Sequence, residues 1–169
     1  MATTLASAES LCRTYDHGAT NIAKLKELKV SVHHGVDATN LNKFLDVKPN
    51  VVIFNYPHLG NDDKSDEDKH KRRHRVLVAH YLNAAKQILA RDGSICVTLS
   101  GNQHRDWSLK ASAHRMGLRL VADIPTNQPG LPGVEIEPWP PQKHWSAGRK
   151  FRSVEQNRTK SRKCISYLI

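Results

Sequence analysis

Val51-Val52-Ile53-Phe54-Asn55-Tyr56-Pro57-His58-Leu59-Gly60 opens on four apolar residues and breaks into polar and turn-forming ones at Asn55. A continuous apolar run of that length predicts a strand buried on both faces of a parallel sheet. Downstream of a polar loop from Gly60 to about Lys69, Arg72–Ala90 has helical periodicity. Leu77, Tyr81, Ala84 and Ile88 fall on one stripe, Val78, Leu82 and Leu89 lie beside it, and Asp92-Gly93 stops it. Ile95–Leu99 predicts a strand, Leu109–Met116 a helix closed by Gly117, and Leu118–Ile124 a further strand. Upstream, Ser7 can cap a helix beginning near Ala8, with Leu11, Ile22, Leu25 and Leu28 as its apolar positions and Gly18 interrupting it. Val30–His34 reads as a short strand ending in Gly35-Val36-Asp37, and a short helix over Asn40–Leu45 is closed by Pro49. Helices alternate with strands. That order predicts one α/β domain over 1–169, with a mostly parallel sheet and helices on both faces.

The C-terminal part changes character. Residues 126–145, TNQPGLPGVEIEPWPPQKHW, hold most of the prolines, so 125–150 is expected to be a long loop or insertion. Residues 151–169 are a basic tail in which the alternation of Cys164, Ser166 and Leu168 predicts a last strand. Across the 169 residues, 26 Lys and Arg against 16 Asp and Glu give a net charge of +10. The excess favours a polyanionic partner, nucleic acid before acidic membrane; the alternative is a basic surface that only keeps the protein soluble. No apolar run approaches the roughly 20 residues needed to span a bilayer. The first residues lack a basic segment followed by an apolar core, so secretion is not expected. Cys12, Cys96 and Cys164 are far apart, which suggests a reducing compartment, with Cys96 a core thiol. No CxxC pair and no Cys/His ligand spacing is evident, so a zinc site is not expected.

In open α/β sheets, ligands bind beyond the carboxyl ends of the strands. Two such ends carry distinctive residues: Asp37 in HHGVDATNL, and Asn55-Tyr56-Pro57-His58 after the buried strand. An Asn, aromatic, Pro run there offers a rigid turn, a stacking ring and outward-facing carbonyls, which suit a planar base held edge-on. The bland alternative is a strand-ending turn. Together these segments resemble one family, the Rossmann-like domain of the 25S rRNA (uridine-N(3))-methyltransferases. The matching pieces occur in family order. ATTL (3–5 with Ala2) resembles the end of the second strand, and YDHGATNIAKLKELKVSVHHGVDATNL the following helix and third strand. VVIFNYPHLG matches the family's Phe-Asn-Phe-Pro-His signature, and GSICVTLSGNQHRDW the fifth strand and the loop ending in Trp107.

The resemblance implies S-adenosyl-L-methionine as methyl donor, a uridine of large-subunit rRNA as acceptor, and rRNA or a pre-ribosome as partner. It implies a nuclear, nucleolar or cytoplasmic location. Asp37 and Ala38 would hold the adenine side of the cofactor, unless Asp37 is an Asx-turn carboxylate capping Ala38–Asn40. Asn55, Tyr56, Pro57 and His58 would form the acceptor loop, with Asn55 orienting the base, Tyr56 stacking on it and His58 taking the ring-nitrogen proton. Otherwise His58 is a surface histidine at a turn. The basic run Lys69, Lys71, Arg72, Arg73 and Arg75 is an RNA phosphate contact, a nuclear address or a solvated helix start, in the last case opposed to the helix dipole. There are departures. The family's first strand and Gly-x-Gly-Asp-Phe-Ser loop have no counterpart, Ala6 replaces the acidic residue near the end of the second strand, Gln103-His104 replaces Pro-Tyr, and His74 replaces Asn. These departures predict weak or absent cofactor binding, and leave open a non-catalytic RNA-binding relative of the same fold.

Overall fold

The computed structural model describes residues 1–60, 66–125 and 162–168. The expected Pro-rich loop beyond Pro125 and the tail up to residue 161, including Arg149, Lys150, Arg152, Arg158 and Lys160, lie outside the described residues. Strand β1 (Ala2–Thr4) is followed by α1 (Ala8–Thr14) and α2 (Gly18–Glu27). The Ser7 side chain accepts from the Ser10 amide at 3.1 Å and so caps α1 as expected. The break falls at residues 15–17, and Gly18 opens α2 and permits its close approach to α1, since a Cβ there would come within 2.7 Å of the Leu11 carbonyl oxygen. Then come β2 (Val32–His34), a single 3-10 turn at Leu41–Lys43, and β3 (Val51–Asn55). The long helix α3 (Glu67–Ile88) precedes β4 (Ser94–Ser100), and two short helices, α4 (Gln103–Asp106) and α5 (Leu109–Arg115), lead to β5 (Arg119–Pro125) and β6 (Arg162–Leu168).

The fold class is α/β, as expected, with two refinements. Among the described residues the strands form two sheets: β1 pairs with β2 in parallel, and a second sheet has the order β3-β4-β6-β5. In that sheet β3 and β4 are parallel, while β6 lies between β4 and β5 and is antiparallel to both. The expected final strand therefore exists, and it interrupts the parallel pattern. The second refinement concerns β3. Val51 and Ile53 are 53% and 59% exposed, not buried on both faces. β3 is an edge strand of its sheet, and alternate side chains point to opposite faces. Val52 and Phe54 share the face of Ile95 and Val97 and pack on the core, with the Phe54 ring 4.5 Å from that of Tyr81 on α3. Val51, Ile53 and Asn55 face the open side. Cys96, expected in the core, is half-buried because it faces that side too.

Helix α3 starts five residues before its apolar periodicity does. The Asp66 side chain accepts from the Lys69 amide at 2.8 Å, and Glu67 and Asp68 occupy the first turn, where acidic side chains complement the dipole. The basic run begins within the first turn, at Lys69, but it follows the Asp66 cap and Glu67 and Asp68, whose negative charges offset the expected conflict with the dipole. His74, Val78, Tyr81, Leu82, Ala85 and Ile88 form the buried stripe of α3, which packs against Ile95, Val97 and Leu99 of β4, and with them lie Ile165 and Tyr167 of β6. Val36 and Leu41 join the same core, so the segment after β2 is seated on α3 and links the two sheets. No helix among the described residues is long and apolar enough to cross a membrane.

Candidate functional site

The end of β3 is fixed by its neighbour β4. Asn55 is opposite Thr98, whose hydroxyl donates to Asn55 Oδ1 at 2.8 Å, and the Tyr56 amide donates to the Thr98 carbonyl at 2.9 Å. Tyr56 then adopts a left-handed conformation, φ +48°, which is uncommon for a residue with a side chain and is a recurrent feature of functional turns. Its ring is 40% exposed, Pro57 is buried, and the turn swings His58 onto α3. The sequence groups Asn55 and His58 in one loop. In the structure their side chains find different neighbours: Asn55 meets Thr98 on the open face, and His58 packs with His70 and His74 of α3 and Trp107 at the end of α4.

That imidazole group has defined hydrogen bonds. His74 is fully buried; its ring lies against Trp107, its Nδ1–H donates to the His70 carbonyl at 2.9 Å, and its Nε2 accepts from the Leu59 amide at 3.1 Å. His58 Nδ1 accepts from the Gly60 amide at 2.9 Å. His70 Nε2 is buried without a hydrogen-bond partner. Loss of hydration holds the His74 pKa below the usual histidine value, against the opposing effect of its bond to the His70 carbonyl. Loss of hydration, then the charge of His70, lowers that of His58. Both rings are therefore biased toward the neutral form. Sequence reasoning singled out His58 and His74 separately and missed His70. The available signal was the four-residue spacing of His70 and His74, which puts both on one helix face.

Asp37 stands at the carboxyl end of β2, exposed. Its Oδ1 accepts from the Thr39 amide at 2.8 Å and the Thr39 hydroxyl at 2.7 Å. These two bonds hold its pKa below the usual carboxylate value. The Asx-turn alternative is thus present in the structure, and Oδ2 is the oxygen it leaves for a ligand. Ala38, beside it, packs against the core. An open groove of about 510 Å³ is lined by Thr39, by Leu59 and by Arg72, Arg73, Val76, Leu77 and His80 of α3; Asp37, Ala38 and residues 55–58 lie beside it and do not line it. A smaller cleft of about 250 Å³ lies along β1 and β2, with Thr3, Val32 and Phe44 in its wall, and includes none of the expected site residues.

The helix sorts the basic run by position. Arg72 and Arg73 line the groove. Lys71 pairs with Glu67 at 2.7 Å, and Arg75 Nε donates to the Asp106 carbonyl at 2.7 Å, joining α3 to the end of α4. Lys69 is exposed in the first turn of α3.

Fold and site together define a Rossmann-like α/β protein with its candidate site at the carboxyl ends of the strands and a basic groove beside it. The chain belongs to the BMT5-like family, described as rRNA (uridine-N3-)-methyltransferase BTM5-like, whose model matches residues 1–133. It is 31% identical over 138 residues to heavy metal-associated isoprenylated plant protein 41 of Arabidopsis thaliana, covering 79% of this chain and 27% of that protein. It is 30% identical over 130 residues to the ferredoxin-fold anticodon-binding domain-containing protein 1 homolog of Mus musculus, covering 68% of this chain and 20% of that protein. The chain thus spans about a quarter of the length of these relatives. Among solved structures it is similar to a Streptococcus mutans protein in complex with SAH, at a TM-score of 0.44 and 12% identity, covering 92% of this chain and 73% of the other.

Proposed function

We propose that the protein methylates the N3 position of a uridine in large-subunit rRNA, with S-adenosyl-L-methionine as donor. The observation that supports this reading is a groove lined by Thr39 and Leu59, the residues next in sequence to Ala38 and His58, and by Arg72 and Arg73. Thr39 adjoins the segment proposed for the cofactor and Leu59 the segment proposed for the base. Asp37 Oδ2 and Ala38 would hold the adenine side of the cofactor, which when bound supplies an electrophilic methyl group. Tyr56, half-exposed on its strained turn, stacks on the uracil, and Asn55, held by Thr98, orients it. Arg72 and Arg73 contact backbone phosphates.

The uracil N3 proton must leave before or during transfer, and His58 is the candidate acceptor. Its bias toward the neutral form suits a base. In the geometry seen, Gly60 N–H occupies the Nδ1 lone pair, so a neutral His58 presents Nε2–H to a ligand. Proton abstraction then requires Gly60 to release Nδ1. A nucleolar or cytoplasmic place of action follows from an rRNA substrate.

A second reading, a non-catalytic RNA-binding relative, rests on one observation: the Asp37 carboxylate is already engaged by Thr39. Incubation with methyl-labelled cofactor and rRNA, followed by nucleoside mass spectrometry, tests the first reading. Label in N3-methyluridine is expected. Label on another base or atom, or RNA binding without transfer, overturns it, and the latter result favours the second reading.

A further inference from the structure

We propose that His58, His70 and His74 form a transition-metal site that takes one divalent ion of the zinc class, leaving a fourth coordination position open. His70 and His74 are one helical turn apart on α3, with ring centroids 4.2 Å apart. His58 reaches over them from the turn after β3, at 5.3 Å from His70 and 4.8 Å from His74. One ring nitrogen of each lies within 4.8 Å of the other two. Nitrogen ligands around tetrahedral zinc sit closer, since each bond is about 2.0–2.1 Å, so the three rings must draw in by rotamer adjustment.

Two details favour a ligand role over a packing role. His70 Nε2 is buried without a partner, and a buried ring nitrogen is costly to leave so. His74 Nδ1–H donates to the His70 carbonyl, which fixes the tautomer with a lone pair on Nε2. A backbone carbonyl on the far nitrogen is the usual support of a metal-bound histidine.

The surroundings select the kind of ion. Neutral imidazoles bring no charge, and Arg73 acts on His74 with a positive one. A hard cation such as magnesium or calcium gains little there, whereas zinc, cobalt or copper bind imidazole nitrogen strongly. The ion must also compete with two amides. Leu59 N–H holds His74 Nε2 and Gly60 N–H holds His58 Nδ1, so binding is coupled to a shift of Leu59-Gly60. An ion on His58 and proton transfer by His58 cannot occur at the same time, so a bound ion would have to leave before His58 acts as a base; the metal site itself does not depend on the methyl-transfer reading.

The test uses the purified chain without a histidine tag, freed of metal by chelation, and titrated calorimetrically with Zn²⁺ and spectroscopically with Co²⁺. No cofactor or RNA is present, so its outcome is separate from that of the methylation assay. One Zn²⁺ per chain is expected, with the strong visible bands of four-coordinate cobalt. His58→Ala and His70→Ala, at exposed and half-buried positions, should each weaken Zn²⁺ binding by more than about tenfold, and His80→Ala should not. If a variant fails to fold, judged by circular dichroism, the cobalt spectrum of the parent decides. No binding at micromolar Zn²⁺, binding that survives both variants, or only the weak bands of six-coordinate cobalt overturns the proposal.

Discussion

The indole of Trp107 stacks on the imidazole of His74, with ring centroids 4.3 Å apart and planes inclined by 19°. The contact joins the end of α4 to the first half of α3 at the point where His58 arrives from β3. Trp107 is 3% exposed, so its removal leaves a cavity under the candidate site. Trp107→Ala should cost about 3–5 kcal/mol in urea denaturation. A loss below about 1 kcal/mol would mean that the end of α4 collapses onto His74 and that the stack is dispensable.

The histidine group makes stability depend on pH with a definite sign. His58 and His74 have pKa values lowered in the folded state, so near the ordinary value of 6.5 the unfolded chain binds more protons. Their contribution is fully present above pH 6.5 and is lost as pH falls through the folded values. The unfolding free energy should decline as pH falls below about 6.5, and His74→Asn should flatten that decline. An unchanged slope in His74→Asn, with the fold intact, would remove His74 as a source of the pH dependence.

RNA affinity should separate the two halves of the basic run. Arg72 and Arg73 line the groove, while Lys71 and Arg75 are tied to Glu67 and Asp106. Replacing Arg72 and Arg73 together by Ala should flatten the plot of log K against log salt by about one unit per lost phosphate contact. Replacing Lys71 and Arg75 should change it less. Equal slopes for the two double variants would place the RNA elsewhere on the basic surface.

Gly93, in the turn between α3 and β4, is confined by sterics. A Cβ there would come within 2.7 Å of Leu89 Cγ and 2.9 Å of the Ala90 carbonyl oxygen. Gly93→Ala should destabilise the fold by about 1–3 kcal/mol, measured by thermal or urea unfolding. A neutral effect would show that Leu89 moves aside freely.

Much of the fold was legible because it follows local rules. The apolar run Val51–Phe54, the stripe on α3, Ser7 as a cap and Gly18 beside the break each act within a few residues. What was not legible depends on neighbours distant in sequence. Exposure of Val51 and Ile53 follows from their pointing to the sheet face away from the core, and no local pattern encodes which face is covered. The insertion of β6 between β4 and β5 is equally non-local. The beginning of α3 was hidden because Asp66, Glu67 and Asp68 read as loop by polarity, although they are favourable first-turn residues. At the site, Asp37 and His58 were legible as candidates from their places after strands. The grouping of His58 with His70, His74 and Trp107 required the left-handed turn at Tyr56, which the sequence does not announce in a non-glycine residue.

The central claim is that the turn after β3 holds the methyl-accepting uridine. It is tested most directly by measuring turnover and cofactor affinity together for the parent, Asn55→Ala and His58→Ala. Each variant should lose turnover while cofactor affinity stays nearly constant. For His58→Ala the loss should be on the order of 10²–10⁴-fold, partly recovered at higher pH where the uracil proton leaves unaided. Methylation at the parent rate by both variants, or a loss carried entirely by cofactor affinity, would contradict it.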